Sequence, residues 1–275
     1  MDASRWFFFI YYILYTTYDI LSPMIGIFDS GIGGLSVLAK IREKAPNADV
    51  VYFGDTANAP YGTRSLLELK ALTEAAVELL LSEGARDIVS ACNSVSAFMT
   101  LSESGLLASV PFSITEMTRP TVRALARDFS GKKIVFLATP ATIASGIYAR
   151  GCAEADLDGT FFAVSDLAGA IERGAPREDI RAIVAHAISE IPRDTDILSL
   201  SCTHYPFVSD LFIEEIARAG LSAETFNPAD SVAAEVCTGC EMSGAGKMRF
   251  IVSQDSPTFA ALVKEHFGNM DIEVL

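Results

Sequence analysis

The chain has 275 residues, half of them apolar and a fifth charged, so it can bury the core of two modest domains or one large domain. Its formal charge of −14 argues against binding to a nucleic acid backbone, because such binding needs a basic patch. A small anionic substrate is not excluded, since a few N–H donors can hold one. The five cysteines are too few and too irregularly spaced for a secreted disulfide scaffold, and their odd number leaves one unpaired. We therefore expect a cytosolic enzyme with reduced thiols.

The first 23 residues differ from the rest of the chain, because the stretch 6–21 is strongly aromatic. This apolar run is shorter than the roughly 20 residues of a transmembrane helix and contains Thr16, Thr17 and Asp19. No convincing signal-peptide cleavage site follows it. Membrane anchoring is the weaker alternative. We expect residues 1–23 to be an extension outside the fold, and the fold to begin at Met24.

From Met24 onward, short apolar runs alternate with segments of helical spacing. The pattern predicts strands at 25–28, 50–53 and 88–91 and helices at 35–45 and 65–83. Ser65 is the predicted N-cap of the second helix, and Glu68 completes a capping box. Such alternation favours a mainly parallel sheet with helices on both faces.

The second half of the chain repeats this order after a shift of 110 residues. The shift carries the three strands to 135–138, 160–163 and 198–201, and the second helix to 175–193. Asp29 precedes Cys92 by 63 residues, and Thr139 precedes Cys202 by the same number. Few residues are identical between the two halves, so the repeat consists of the same order and spacing of strands and helices. We predict an α/β fold of two similar lobes, related by a pseudo-twofold axis, with the active site in the cleft between them.

The lobes are not expected to be continuous in sequence. We predict a first lobe of residues 24–118 plus 226–275 and a second lobe of residues 119–225. The last segment is too short for a third domain. It carries a predicted helix at 230–237, a strand at 248–252 and a helix at 257–267, and we expect it to pack on the first lobe.

Cys92 and Cys202 each follow one of the matched strands. Ligands of open α/β sheets bind beyond the carboxyl ends of the strands, so two cysteines placed alike on two lobes can face each other across the cleft. A thiol is mostly protonated at neutral pH, but its neighbours can shift its pKa. One thiolate and one thiol on opposite faces of a substrate carbon suit two-base proton exchange. The alternative is that both cysteines only pack, as free cysteines often do.

The residues around the cysteines suggest how a substrate is held. The glycine-rich turn 29–36 lacks the lysine and spacing of a phosphate loop, so Ser30 and the loop amides are predicted to bind a carboxylate at the helix N-terminus. Asp29 can orient or deprotonate a nearby base, or merely cap the turn. Asn93-Ser94 and Thr203-His204 offer further donors and acceptors, and His204 can exchange a proton with Cys202. His186 and His266 are expected on helix surfaces.

Neither a metal nor a cofactor is expected. No lysine stands in the motif loops, which weighs against a Schiff-base cofactor, and no cluster of His, Asp and Glu has metal-binding spacing. The motif Cys237-Thr-Gly-Cys240 lacks the second pair of ligands that a zinc ribbon needs. It follows a helical pattern, so we interpret it as structural.

Four motifs, taken in order, resemble those of the glutamate racemases of the cofactor-independent aspartate/glutamate racemase family. They are Ile27-Phe-Asp-Ser-Gly-Ile-Gly-Gly-Leu-Ser36, Ala59-Pro-Tyr-Gly62, Ala91-Cys-Asn-Ser94 and Cys202-Thr-His-Tyr-Pro206. The segment Asn227-Pro-Ala-Asp-Ser-Val-Ala233 is similar to a late motif of this family. Two departures are Ser94, where threonine is usual, and Ser201, where glycine is usual.

The resemblance implies that Cys92 and Cys202 carry two-base chemistry, with Asp29 assisting Cys92 and His204 assisting Cys202. It also implies a glutamate-binding set: Asp29, Ser30, Tyr61, Gly62, Asn93, Ser94, Thr139, Thr142, Thr203 and His204. The family supplies D-glutamate for bacterial peptidoglycan, which implies a cytoplasmic enzyme without cofactor, nucleic acid or membrane partner. A homodimer is left open.

Three other functions are weighed. The chain could racemise aspartate or another amino acid, although its Ala-Pro-Tyr-Gly loop resembles the glutamate type. It could be a binding or regulatory protein on this scaffold, for example one that binds DNA gyrase, but such a protein needs no matched acid–base pair. A cysteine hydrolase would account for only one cysteine and one histidine.

Overall fold

The computed structural model describes residues 24–96, 114–239 and 244–275. The predictions for residues 1–23 and for Cys240 fall outside these described residues.

The strands of the described chain lie close to the predicted ones. In chain order they are β1 Met24–Asp29, β2 Asp49–Gly54, β3 Ala85–Ser90, β4 Ile114–Glu116, β5 Lys133–Ala138, β6 Asp158–Ala163, β7 Ile197–Leu200, β8 Glu224–Phe226, β9 Met248–Val252 and β10 Ile272–Val274. The short strands β4, β8 and β10 were not predicted.

Two parallel sheets form the two lobes. The first has the strand order β10-β9-β2-β1-β3-β4 and the second β6-β5-β7-β8, and every neighbouring pair is parallel. The order β2-β1-β3-β4 recurs as β6-β5-β7-β8, so the predicted α/β fold of two similar lobes is confirmed. Strand β9 of the C-terminal segment pairs with β2 and extends the first sheet. The predicted domain boundaries near residues 118 and 226 stay predictions.

The helices flank these sheets. They are α1 Leu35–Lys44, α2 Leu66–Ser82, α3 Thr118–Asp128, α4 Pro140–Ala144, α5 Ile147–Glu154, α6 Leu167–Glu172, α7 Arg177–Glu190, α8 Ser209–Arg218, α9 Pro228–Gly239 and α10 Pro257–Phe267. Residues 93–96, after Cys92, are also helical. The predicted capping box of α2 is present, because the Ser65 hydroxyl accepts from the Glu68 amide and the Glu68 carboxylate accepts from the Ser65 amide.

The two lobes share one hydrophobic core. Ile32 and Leu35 of the first lobe belong to the same buried cluster as Leu167 and Tyr205 of the second. This shared burial fixes the carboxyl ends of the two sheets against each other, and so sets the separation of the loops that follow them.

No helix within the described ranges is long and apolar enough to cross a membrane.

Candidate active site

A cavity of about 350 Å³ lies between the lobes, beyond the carboxyl ends of β1, β3, β5 and β7. Most of the predicted site residues line it: Ser30, Tyr61, Gly62, Cys92, Asn93, Ser94, Thr139, Cys202, Thr203 and His204. Asp29 and Thr142 are buried close behind this lining. The structure therefore brings the loops of both cysteines to one cleft.

Cys92 lies just beyond β3 at the start of a helical segment. The backbone there is fixed because the Ala91 amide donates to the Phe28 carbonyl at 2.9 Å. Burial, followed by the negative charge of Asp29, raises the pKa of Cys92 to about 12, although the amides of Val95 and Ser94 donate to the sulfur and oppose this rise. Cys92 is consequently a protonated thiol at neutral pH.

Asp29 is the last residue of β1 and is fully buried. Its Oδ2 accepts from the Gly31 amide at 2.9 Å, which is the local capping role that we gave as the alternative. Its Oδ1 lies 3.5 Å from the Thr203 hydroxyl of the other lobe. Burial raises the pKa of Asp29, opposed by the charge of His204 and the Gly31 amide. This carboxyl thus contributes more than a cap, since it acts electrostatically on Cys92.

A hydrogen-bonded chain supports Cys202. Its sulfur lies 3.8 Å from Nδ1 of His204, and Nε2 of His204 lies 2.6 Å from Oε2 of Glu172. Burial lowers the pKa of His204, but the hydrogen bonds to Cys202 and Glu172 outweigh burial and raise it well above its usual value. The imidazole can therefore hold a proton beside Cys202.

Glu172, the last residue of α6, is a site residue that sequence reasoning missed. It also joins the lobes, because its Oε2 accepts from the Ile32 amide at 3.2 Å. The 110-residue shift pairs Glu172 with Gly62, which had been assigned to the site. Because glycine has no side chain, the repeat does not indicate a carboxylate at this position.

The glycine-rich turn allows the two lobes to approach closely. A Cβ atom at Gly31 would lie 2.3 Å from Oε1 of Glu172, and one at Gly33 would lie 2.4 Å from Oγ1 of Thr203. A side chain at Gly31 would displace the Glu172 carboxylate, and one at Gly33 would displace the side chains of Thr203 and His204. These two glycines thus allow the turn of the first lobe to contact residues of the second lobe closely.

The other predicted residues are held by contacts of their own. The Tyr61 hydroxyl donates to Oδ2 of Asp55 at 2.6 Å. The hydroxyls of Thr139 and Thr142 are 2.9 Å apart, and Thr139 caps α4. Thr142 is buried, so it can act on the cavity only through Thr139.

Opposite charges meet at the cleft mouth. Arg173 and Asp166 both line the cavity, and their nearest polar atoms are 3.7 Å apart, with both side chains mostly exposed. Arg173 supplies a positive charge beside a cavity in an otherwise acidic protein.

The described residues hold no group of three or more His, Cys, Asp or Glu side chains that could bind a metal ion. His186 and His266 are exposed on helices, as predicted.

The known proteins that this chain resembles in sequence are amino-acid racemases, enzymes of the isomerase class. The sequence profile of the Asp/Glu/hydantoin racemases matches residues 25–234. Glutamate racemase from Lactobacillus johnsonii is 34% identical over 212 residues, covering 76% of this chain and 77% of the relative. Glutamate racemase from Aquifex aeolicus is 32% identical over 245 residues, covering 89% and 94%.

A solved structure is similar over nearly the whole chain. A glutamate racemase isoform from Bacillus anthracis superposes with a TM-score of 0.81 at 25% identity, covering 92% of this chain and 97% of that one. The chain belongs to the Asp/Glu/hydantoin racemase family.

Proposed function

We propose that this protein interconverts L- and D-glutamate without a cofactor, by two-base proton transfer at Cα between Cys92 and Cys202. The observation that carries the proposal is the pair of buried thiols on one cleft, each beside its own acid–base partner. The similarity to proteins named glutamate racemase supports glutamate as the substrate.

The reaction of one enantiomer begins with Cys92 as the thiol and Cys202 as the thiolate, with the His204 imidazole beside Cys202 available to hold a proton. With one enantiomer bound, the Cys202 thiolate removes the Cα proton, so that the C–H bond breaks and an S–H bond forms. Cys92 then donates its own proton to the opposite face of the carbanion and becomes a thiolate beside Asp29. The other enantiomer reacts by the reverse sequence with the roles of the sulfurs exchanged.

The two sulfurs have different neighbours, and these neighbours suit the roles of proton acceptor for Cys202 and proton donor for Cys92. His204 stores a proton close to Cys202 and is itself held by Glu172. Cys92 keeps its proton because burial and Asp29 disfavour the thiolate. Polar groups from both lobes then hold the substrate, with Ser30, Asn93, Ser94 and Thr203 next to the reacting sulfurs. The role in peptidoglycan synthesis and the cytoplasmic location follow from the family resemblance and remain predictions, and a homodimer stays open.

The test is incubation with each enantiomer of glutamate in heavy water, without pyridoxal phosphate. Optical rotation reports racemisation, and NMR reports deuterium at Cα. We expect both signals from both enantiomers. Exchange with aspartate but not with glutamate would assign the enzyme to aspartate, and absence of exchange with any amino acid would contradict the catalytic proposal and favour a binding protein.

A further inference from the structure

A buried tyrosine of the second lobe reaches across to the Cys92 loop. Tyr148 on α5 is 2% exposed, and its ring packs on Phe136 with the ring centres 5.0 Å apart. Its hydroxyl donates to Oδ1 of Asn93 at 2.6 Å. This contact joins residues 55 positions apart in sequence and belongs to neither lobe alone.

The Tyr148 hydroxyl also lies close to the Cys202 loop. Burial and the charge of Glu116 raise the pKa of Tyr148, while the nearby hydroxyls of Ser201, Thr121 and Thr118 oppose that rise. The phenol is therefore a protonated donor at neutral pH. Asn93 directly follows Cys92, and Ser201 directly precedes Cys202. One phenol thus lies between the loops that carry the two thiols.

The other half of the Asn93 amide has no protein partner. Asn93 is 4% exposed and lines the cavity, and its Nδ2 is buried without a hydrogen bond. A buried N–H without an acceptor costs roughly 1–3 kcal/mol, so such groups normally have a partner. Because Tyr148 occupies Oδ1, Nδ2 points away from the phenol. A substrate carboxylate in the cavity can supply the missing acceptor.

We propose that Tyr148 is a positioning residue for the substrate site, whose hydroxyl fixes the Asn93 amide so that Nδ2 donates to the α-carboxylate of the amino acid. The α-carboxylate is the relevant one because it is bonded to the carbon that Cys92 must reach, and Asn93 adjoins Cys92. The inference rests on the proposed racemase function. Since the phenol belongs to the second lobe and the amide to the first, carboxylate binding depends on the closed arrangement of the lobes.

The first test is Tyr148→Phe, which keeps the ring on Phe136 and removes only the hydroxyl. Loss of one such hydrogen bond predicts a KM for glutamate that is roughly fivefold to thirtyfold higher, with kcat nearly unchanged. The increase is the same for both enantiomers, because both share the α-carboxylate. A merely structural role predicts instead a lower melting temperature with an unchanged KM.

The second test is a double-mutant cycle with Asn93→Ala. If Tyr148 acts through Asn93, then Tyr148→Phe changes KM little in the Asn93→Ala background. Thr73→Val is the matched control, because it removes a buried hydroxyl that donates to the Leu69 carbonyl within α2 and is not a partner of the phenol. It is expected to leave KM unchanged. Additive effects in the cycle, or an unchanged KM in Tyr148→Phe, overturn the inference.

A measurement of glutamate binding separates failure of the racemase proposal from failure of the positioning role. Glutamate binding is therefore also measured as the rise in melting temperature that the ligand causes, which needs no turnover. If the unsubstituted protein binds glutamate but does not racemise it, the proposed reaction fails while the weaker binding expected in Tyr148→Phe still tests the positioning role. If it neither racemises nor binds glutamate, both proposals are overturned.

Discussion

The two sides of the cleft support their thiols by different means. The sulfur of Cys202 lies 3.8 Å from Nδ1 of His204, and Nε2 of the same imidazole lies 2.6 Å from the Glu172 carboxylate. Cys92 has helix-start amides and the buried Asp29, and its pKa is raised to about 12. Duplication of one strand order therefore placed two equivalent sulfurs, but the loops after each strand gave them different neighbours. A nearly symmetric reaction would thus use two different sets of acid–base partners.

The largest expected effect comes from removing either sulfur. Cys92→Ser and Cys202→Ser should each lower kcat for racemisation by about 10³-fold or more, because a hydroxyl is a far weaker acid than a thiol and acid–base catalysis contributes on this scale. Steady-state polarimetry measures the loss. Cys237→Ser on α9 is the control and should keep full activity, because Cys237 does not line the cleft. Activity within tenfold of normal in either site variant would contradict a catalytic role for that sulfur.

Removing the carboxylate that is hydrogen-bonded to His204, the partner of Cys202, should have the next largest effect. Glu172→Gln removes a group that raises the pKa of His204, so the imidazole retains its proton less well. We expect kcat to fall by roughly 10-fold to 100-fold and the alkaline limb of the pH profile of kcat/KM to move to lower pH. Glu178→Gln, on an exposed part of α7, is the matched control. An unshifted alkaline limb would show that Glu172 does not act through His204.

The raised pKa of Cys92 should appear in the stability of the protein at high pH. The thiol ionises near 9.0 in the unfolded chain but near 12 in the folded one, so stability is fully present below pH 9 and is lost as pH rises toward 12. This single group contributes at most about 1.4 kcal/mol per pH unit to that loss. Urea unfolding at pH 9 and pH 10.5 should therefore show a smaller decline for Cys92→Ser. Equal declines would mean that Cys92 is not held as a thiol.

The smallest expected effect concerns the cleft mouth on the Cys202 side. Arg173→Gln removes a positive charge that can attract an anionic amino acid, so kcat/KM should fall by about twofold to fivefold at low salt and approach the normal value at high salt. Arg177→Gln changes the net charge equally, but Arg177 does not line the cavity. Equal effects of the two substitutions would attribute the loss to net charge alone.

Much of this arrangement could be predicted from local sequence. The strand at Met248–Val252 and the helix at Pro257–Phe267 have the predicted bounds, because their apolar periods and the Ser256 cap are short-range signals. The repeat then placed two cysteines on one cleft. The short strands β4, β8 and β10 were missed because three residues carry too little periodicity.

The missed site residues are those whose roles depend on contacts between distant segments. Glu172 ends a helix and has the sequence of an ordinary solvated residue, yet its carboxylate meets His204, 32 positions away. Tyr148 has the sequence of a core aromatic, and only its hydroxyl contact with Asn93 distinguishes it. Such pairings arise when the lobes pack, so one sequence alone does not specify them.

The most direct test of the two-thiol account is deuterium wash-in at Cα in the two cysteine variants, followed by NMR on each glutamate enantiomer separately. Each variant keeps one sulfur, which can still remove and return a proton on its own face. The account predicts that Cys92→Ser exchanges one enantiomer without inversion and that Cys202→Ser exchanges only the other. Exchange of the same enantiomer by both variants, or of both enantiomers by either one, would contradict it.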